Sequence, residues 1–128
     1  MRCLDSDILI SLLRGDKEAE KVIDRLDKEG VAITAVNSFE LSLGCFLSNK
    51  PERIEVVKRL INSYIFLNFE KDASIMAGKI VARLEKKGQR IDWRDCMIAA
   101  IAIVNGSSII TRNVKDFSRI EGLKIERW

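Results

Sequence analysis

Hydrophobic positions along this chain switch repeatedly between short continuous runs and helical spacing, and each switch marks an element. Met1 to Leu4 reads as a short buried strand, followed directly by the apolar helix Ile8 to Leu13 with Ser6 or Asp7 available as its cap. Asp16 caps a second helix, in which Ala19, Val22, Ile23 and Leu26 recur at helical spacing, and Gly30 ends it. Val31 to Thr34 is the next strand. A third helix runs from Ala35 towards Asn49 with Val36, Phe39, Leu43, Phe46 and Leu47 on one stripe.

Pro51 then starts a helix with Ile54, Val57 and Ile61 inward, and Tyr64 to Phe69 carries the aromatic and β-favouring residues of a strand. Ala73, Met76, Ala77, Ile80 and Leu84 outline a longer amphipathic helix stopped at Gly88. The helix Asp95 to Asn105, opened by Trp93 or Arg94 and ended by Gly106, is apolar on nearly every side and therefore central. Ser108 to Thr111 is a strand, Val114 to Ser118 a turn or short helix, and Leu123 to Trp128 an edge strand. Strands alternating with helices predict an α/β fold: a mostly parallel central sheet covered by helices on both faces.

Three acids interrupt this apolar pattern. Asp5 ends the first strand, Glu40 lies on the stripe of the third helix between Val36 and Leu43, and Asp95 begins the central helix. Acids rarely enter such positions without a partner or a metal. Asn113 and Asp116 follow the strand Ser108 to Thr111, so they share the carboxyl rim of the sheet with Asp5, where sites of parallel sheets form. Each acid also has an ordinary explanation: Asp5 or Asp7 as a cap, Glu40 reaching solvent or an arginine, Asp95 satisfying free amides at a helix start, Asp92 as a loop acid or cap. The joint pattern is more specific than any member.

Composition narrows the chemistry. The 128 residues contain no histidine, which removes the commonest general base and the usual nitrogen ligand of zinc. Carboxylates clustered on one rim repel one another, and a hard divalent cation such as magnesium or manganese relieves that repulsion at neutral pH. Such an ion lowers the pKa of a water and stabilises a leaving oxygen, so phosphodiester hydrolysis needs no histidine. The net charge of +3 permits a nucleic-acid partner without demanding one. Arg14, Arg94 and Arg112 adjoin the acidic rim and can contact phosphates.

Length and patterning predict one domain over residues 1–128. Cys3, Cys45 and Cys96 are odd in number, lack paired spacing and sit in apolar surroundings, as expected for reduced core thiols of a cytoplasmic protein. No secretory leader is expected, and the longest apolar run, Cys96 to Val104, is too short to span a bilayer.

Four short blocks, in order, resemble those of the PIN-domain ribonucleases, especially the VapC-type toxins of prokaryotic toxin–antitoxin pairs. They are Leu4-Asp5-Ser6-Asp7-Ile8-Leu9-Ile10, Thr34-Ala35-Val36-Asn37-Ser38-Phe39-Glu40-Leu41, Asp95-Cys96-Met97-Ile98-Ala99-Ala100 and Thr111-Arg112-Asn113-Val114-Lys115-Asp116-Phe117. The resemblance implies a three-layer α/β/α fold and magnesium- or manganese-dependent cleavage of RNA, with Asp5, Glu40 and Asp95 as metal ligands. It also implies a homodimer and a small antitoxin whose tail occupies the acidic groove. Ser6 and Asp7 stand where the family commonly has threonine and asparagine, Asp7 adding charge beside the metal. At the fourth position Asn113 occupies the place of an acid in many relatives; Asp116, one turn on, is favoured, with Asn113, Ser6, Asp7 and Arg112 as substrate-side neighbours.

Two other classes remain open on sequence alone. Asp5-Ser6-Asp7 after a first strand resembles the Asp-x-Asp motif of aspartate-nucleophile phosphatases, although no convincing downstream lysine accompanies it. A non-catalytic domain of the same fold that binds RNA or protein is the third reading.

Overall fold

The computed structural model describes residues 1–26 and 30–128. Five strands, β1 (Arg2–Leu4), β2 (Val31–Thr34), β3 (Ile65–Leu67), β4 (Ser108–Thr111) and β5 (Ile125–Arg127), form one sheet in the order β3-β2-β1-β4-β5. Every pairing is parallel, so all five carboxyl ends share one rim. The helices are α1 (Ser6–Leu13), α2 (Lys17–Arg25), α3 (Ala35–Leu47), α4 (Ile54–Asn62) after a 3-10 turn at Pro51–Arg53, α5 (Lys71–Lys86), α6 (Trp93–Val104) and α7 (Val114–Phe117).

Two apolar layers sandwich the sheet. Leu4, Val31, Ile33 and Ile110 pack with Ile8, Leu9, Ala19, Leu41 and Val57 on the α1, α2 and α4 side. Ile109 belongs to the other layer, with Ala77, Ile80, Leu84, Ile98, Ile101 and Phe117. Neighbouring strand residues such as Ile109 and Ile110 thus serve opposite faces, as the two-residue period of a strand requires. The expected α/β architecture with its three layers is what the chain adopts. Burying six α6 side chains, Cys96 and Ile98 to Ala102 with only Met97 partly open, makes that helix the centre of its layer.

Several boundaries differ from the sequence reading. Helix α1 starts at Ser6, and of the cap candidates Asp5, Ser6 and Asp7 it is Asp5 that caps it, its carboxylate accepting from the Ser6 amide. Helix α2 ends at Arg25 with Leu26 already extended, short of Gly30, and residues 27–29 lie outside the described set. Helix α3 stops at Leu47, β3 keeps only three of its six expected residues, and α6 begins at Trp93 with Asp92 as cap.

The larger correction concerns α3. Val36 and Leu41 face the core, whereas Phe39, Phe46 and Leu47 are 56, 60 and 77% exposed, so the apolar stripe is mostly a surface feature. Cys45 is likewise half-buried rather than a core thiol, while Cys3 and Cys96 are buried as expected, and all three are free. Among the described residues no helix is long and apolar enough to cross a membrane.

Candidate active site on the carboxyl rim

Parallel pairing of β1 with β4 places Asp5 beside Thr111. The Asp5 amide extends the ladder by donating to Ile110 O at 3.0 Å, which fixes the backbone where strand turns into helix. The Asp5 side chain, 6% exposed, then accepts from the Ser6 amide at 2.8 Å and from Thr111 Oγ1 at 2.7 Å. Those donors favour its charged form, yet burial outweighs them and, with Asp7 and Glu40 nearby, pushes Asp5 up to about 6.

Glu40 is positioned from α3 by a relay that begins at β2. Thr34 and Asn37 form a capping box: Thr34 N and Oγ1 both donate to Asn37 Oδ1 at 2.8 Å, and the Asn37 amide returns a bond to Thr34 Oγ1 at 3.1 Å. The fully buried Asn37 then donates through Nδ2 to Ser6 Oγ at 2.9 Å, and Ser6 Oγ donates to Glu40 Oε1 at 2.8 Å. A carboxylate 34 residues from Ser6 is thereby tied to the start of α1. The other Glu40 oxygen lies 3.9 Å from Arg94 Nη1.

Asp95 sits in the first turn of α6, partly buried. Burial first, then Asp5, Glu40, Asp92 and Asp116, hold its carboxyl up to about 7. Of those neighbours Asp92 caps the same helix, and Asp5, Glu40 and Asp116 belong to three other segments. Asp92 differs: a two-armed grip from Arg94 Nε and Nη2, at 3.2 and 3.0 Å, keeps it below the usual carboxylate range, and it also caps α6 through the Arg94 amide. Asp116, on α7, accepts from Asn113 Nδ2 at 3.2 Å.

The flanking residues divide differently. Asp7 accepts from the Arg112 amide at 2.8 Å, from Trp128 Nε1 at 3.0 Å and faces Thr111 Oγ1 at 3.2 Å. Arg112 is committed to its neighbourhood: it stacks over the Trp128 ring 3.5 Å from the centroid and pairs with Glu18 at 2.7 Å. Arg14 and Glu40 line a cleft of about 300 Å³ with Ile10, Leu13, Lys50 and Arg53. A second cleft of about 360 Å³, bounded by Met76, Lys79, Arg83, Arg119 and Glu121, contains none of the rim acids.

Sequence reasoning missed Thr111, Asn37 and Trp128. Thr34-x-x-Asn37 is visible as a variant of the capping-box spacing. Nothing local signals that Thr111 or Trp128 reaches an acid more than a hundred residues away.

Residues 2–123 match the family model of the PIN domain. The chain is 32% identical over 126 residues to the tRNA(fMet)-specific endonuclease VapC of Salmonella typhimurium, covering 98% of this chain and 96% of that protein. Among solved structures, DNA-bound VapBC from Salmonella typhimurium superposes with a TM-score of 0.90 at 29% identity, covering 99% of this chain and 97% of that one. VapBC-1 from nontypeable Haemophilus influenzae gives 0.84 at 29% identity with the same coverage.

Proposed function

The chain belongs to the PIN domain family, and from that membership we propose that it is a metal-dependent endoribonuclease that hydrolyses RNA phosphodiester bonds as the toxin of a toxin–antitoxin pair. One observation supports the reading: Asp5, bonded to Thr111, and Glu40, bonded to Ser6, come to the same carboxyl rim, where burial and the charges of Asp5, Glu40, Asp92 and Asp116 push the Asp95 carboxyl up to about 7. Structural acids are normally neutralised by cations or amides, as Asp92 is by Arg94. Asp5, Asp95 and Asp116 have no ion pair among the described residues, which suits a cation supplied from outside.

The donor set fits magnesium or manganese. It consists of hard carboxylate oxygens, and burial holds the thiols of Cys3 and Cys96 up at about 12 and about 11, protonated and unsuited as ligands. Among the described residues no three such groups stand ready gathered around one point, Glu40 being turned to Ser6 and Arg94. Binding therefore competes with Arg94 for Glu40. Asp5, Glu40, Asp95 and Asp116 would hold the ion. Bound there, the ion supplies an activated water and charge stabilisation at the leaving oxygen.

The chain's own residues do the rest. Thr111 and the Ser6 amide orient Asp5, while Ser6 Oγ orients Glu40. Arg94, exposed at the edge of the acids, and Arg14 in the adjoining cleft attract the phosphate backbone. Asn113 keeps Asp116 directed by its amide, and Asp7 and Arg112, committed to each other and to Trp128, shape the rim more than they reach substrate.

The reading includes the whole of residues 1–128 as one domain, a homodimer, a small antitoxin as partner and a cytoplasmic setting that keeps three free cysteines reduced. tRNA(fMet), named for the Salmonella relative, is the first RNA to assay. The test compares manganese-dependent cleavage by the wild type with Asp5→Asn and Asp95→Asn variants shown by circular dichroism to be folded. Cleavage is expected to vanish in both; cleavage retained in both overturns the reading. A wild type that binds no manganese at millimolar concentration would instead mark a domain that only binds RNA or protein.

A further inference from the structure

Trp128, the residue after β5, is held at the rim through both its ring and its backbone. Its Nε1–H donates to Asp7 Oδ1 at 3.0 Å, the Arg112 guanidinium covers the ring, and Arg112 Nε donates to the Trp128 carbonyl at 3.3 Å. Glu18 fixes the far end of Arg112 at 2.7 Å. The contact between Trp128 and Asp7 joins residues 121 apart in sequence, yet it stops one hydroxyl short of Asp5.

That hydroxyl is Thr111 Oγ1. It lies 2.7 Å from Asp5 Oδ2 and 3.2 Å from Asp7 Oδ2, and it already accepts from the Asn113 amide at 2.9 Å. A threonine hydroxyl has one proton to donate. Two carboxylates therefore compete for it, and the shorter distance gives it to Asp5. Asp7 can forgo that proton because two fixed N–H groups satisfy it: the Arg112 amide at 2.8 Å on Oδ2 and the Trp128 indole on Oδ1. Without the indole N–H, Asp7 keeps a single fixed donor and becomes a real competitor for the Thr111 proton.

We infer that Trp128 is a positioning residue for the metal site: its indole N–H satisfies Asp7, leaving the Thr111 proton to orient Asp5. The inference rests on the reading of Asp5 as a metal ligand and extends it to a side chain that touches none of the four acids. Partners behind a ligand commonly influence metal affinity about 10–100-fold. The indole acts one bond further back, so an effect at or below the low end of that range is expected.

The test is calorimetric titration of manganese into the wild type and into Trp128→Phe, Thr111→Val, Thr111→Ser, Asp5→Asn and the Trp128→Phe/Thr111→Val double variant. Phenylalanine keeps a ring beneath Arg112 and deletes only the donor. Trp128→Phe should weaken manganese binding about 3–10-fold. Thr111→Val should weaken it more, and Thr111→Ser, which keeps the hydroxyl, should restore it. Because the indole acts through the Thr111 proton, Trp128→Phe should cost nothing further in the Thr111→Val background. Wild-type affinity in Trp128→Phe, or equal losses in both backgrounds, overturns the inference. Undiminished manganese binding by Asp5→Asn would instead overturn the ligand reading on which it rests.

Discussion

Ser6 donates its hydroxyl to Glu40 at 2.8 Å while accepting from Asn37 at 2.9 Å, so the first residue of α1 sets the direction of an acid on α3. Removing the hydroxyl leaves Glu40 to Arg94 alone. Ser6→Ala should still fold, at a cost of about 1 kcal/mol for the orphaned Asn37 amide, and lose about 10-fold in manganese affinity, read by calorimetry. Asn37→Ala should cost more stability. It strips the capping box and leaves buried partners at Thr34 and Ser6 unsatisfied, a loss of about 2 kcal/mol measurable by urea unfolding. Unchanged values in both variants would show that the relay positions nothing.

The acids should make the metal-free protein sensitive to pH. Asp5 and Asp95 are held up to about 6 and about 7, above the ordinary carboxylate value, so the folded chain binds their protons more readily than the unfolded chain does. The stability they contribute is fully present below the ordinary carboxylate range and is lost as pH rises through about 6 and about 7. Asp95→Asn should therefore raise the metal-free Tm more at pH 8 than at pH 5. Allowing for the partial exposure of Asp95, a gain of about 1 kcal/mol, or roughly 3–6 °C, is expected. Manganese should raise the wild-type Tm at pH 8 more than that of the variant. Scanning calorimetry across pH 5–8 decides the matter; a variant no more stable than wild type at pH 8 contradicts it.

The fourth position separates two neighbouring side chains. Asn113 Nδ2 donates to Asp116 Oδ2 at 3.2 Å, and Asp116 is among the charges that raise Asp95, whereas an uncharged amide cannot contribute in that way. Asp116→Asn should reduce manganese-dependent cleavage about 10–100-fold, and Asn113→Ala should reduce it by less. Cleavage rates at several manganese concentrations would reveal the reverse order, if Asn113 were the residue that matters.

Much of the fold is legible in the sequence because its signals are local. Each of β1 to β4 appears as a short run rich in apolar residues before a helix, and a strand-to-helix turn after β1 and β4 necessarily presents Asp5 and the Arg112–Asn113 pair on the rim. The cap of α1 is less legible, since Asp5, Ser6 and Asp7 are all good caps and only the backbone decides among them. Helical spacing reports an apolar face but not its cover, so the stripe on α3 reads as inward although Phe39, Phe46 and Leu47 are left open. Thr111, Asn37 and Trp128 escape for a different reason. The partners Asp5 of Thr111, Ser6 of Asn37 and Asp7 of Trp128 are brought near only by sheet pairing, and no spacing rule along the chain encodes a bond from Trp128 to Asp7.

Arg94 and Arg112 both adjoin the acids, yet they should behave differently towards RNA. Arg94 is exposed, with Nε and Nη2 held by Asp92 and Nη1 only 3.9 Å from Glu40, so a bound cation that takes Glu40 leaves Nη1 free to face a phosphate. Arg112 is stacked on Trp128 and paired with Glu18, contacts a phosphate would have to break. A lysine or arginine that neutralises one phosphate contributes about one counterion to the salt dependence of binding, slightly less on single strands. With the cleavage-deficient Asp95→Asn chain as background, Arg94→Ala should lower the slope of log affinity against log salt by about 1 for a tRNA ligand. Arg112→Ala should leave that slope unchanged and lower Tm instead, through the lost cation–π contact of about 0.5–1 kcal/mol. Filter binding over a range of potassium concentrations, with Tm recorded in parallel, distinguishes the two, and equal slopes for Arg94→Ala and its parent would remove Arg94 from the RNA path.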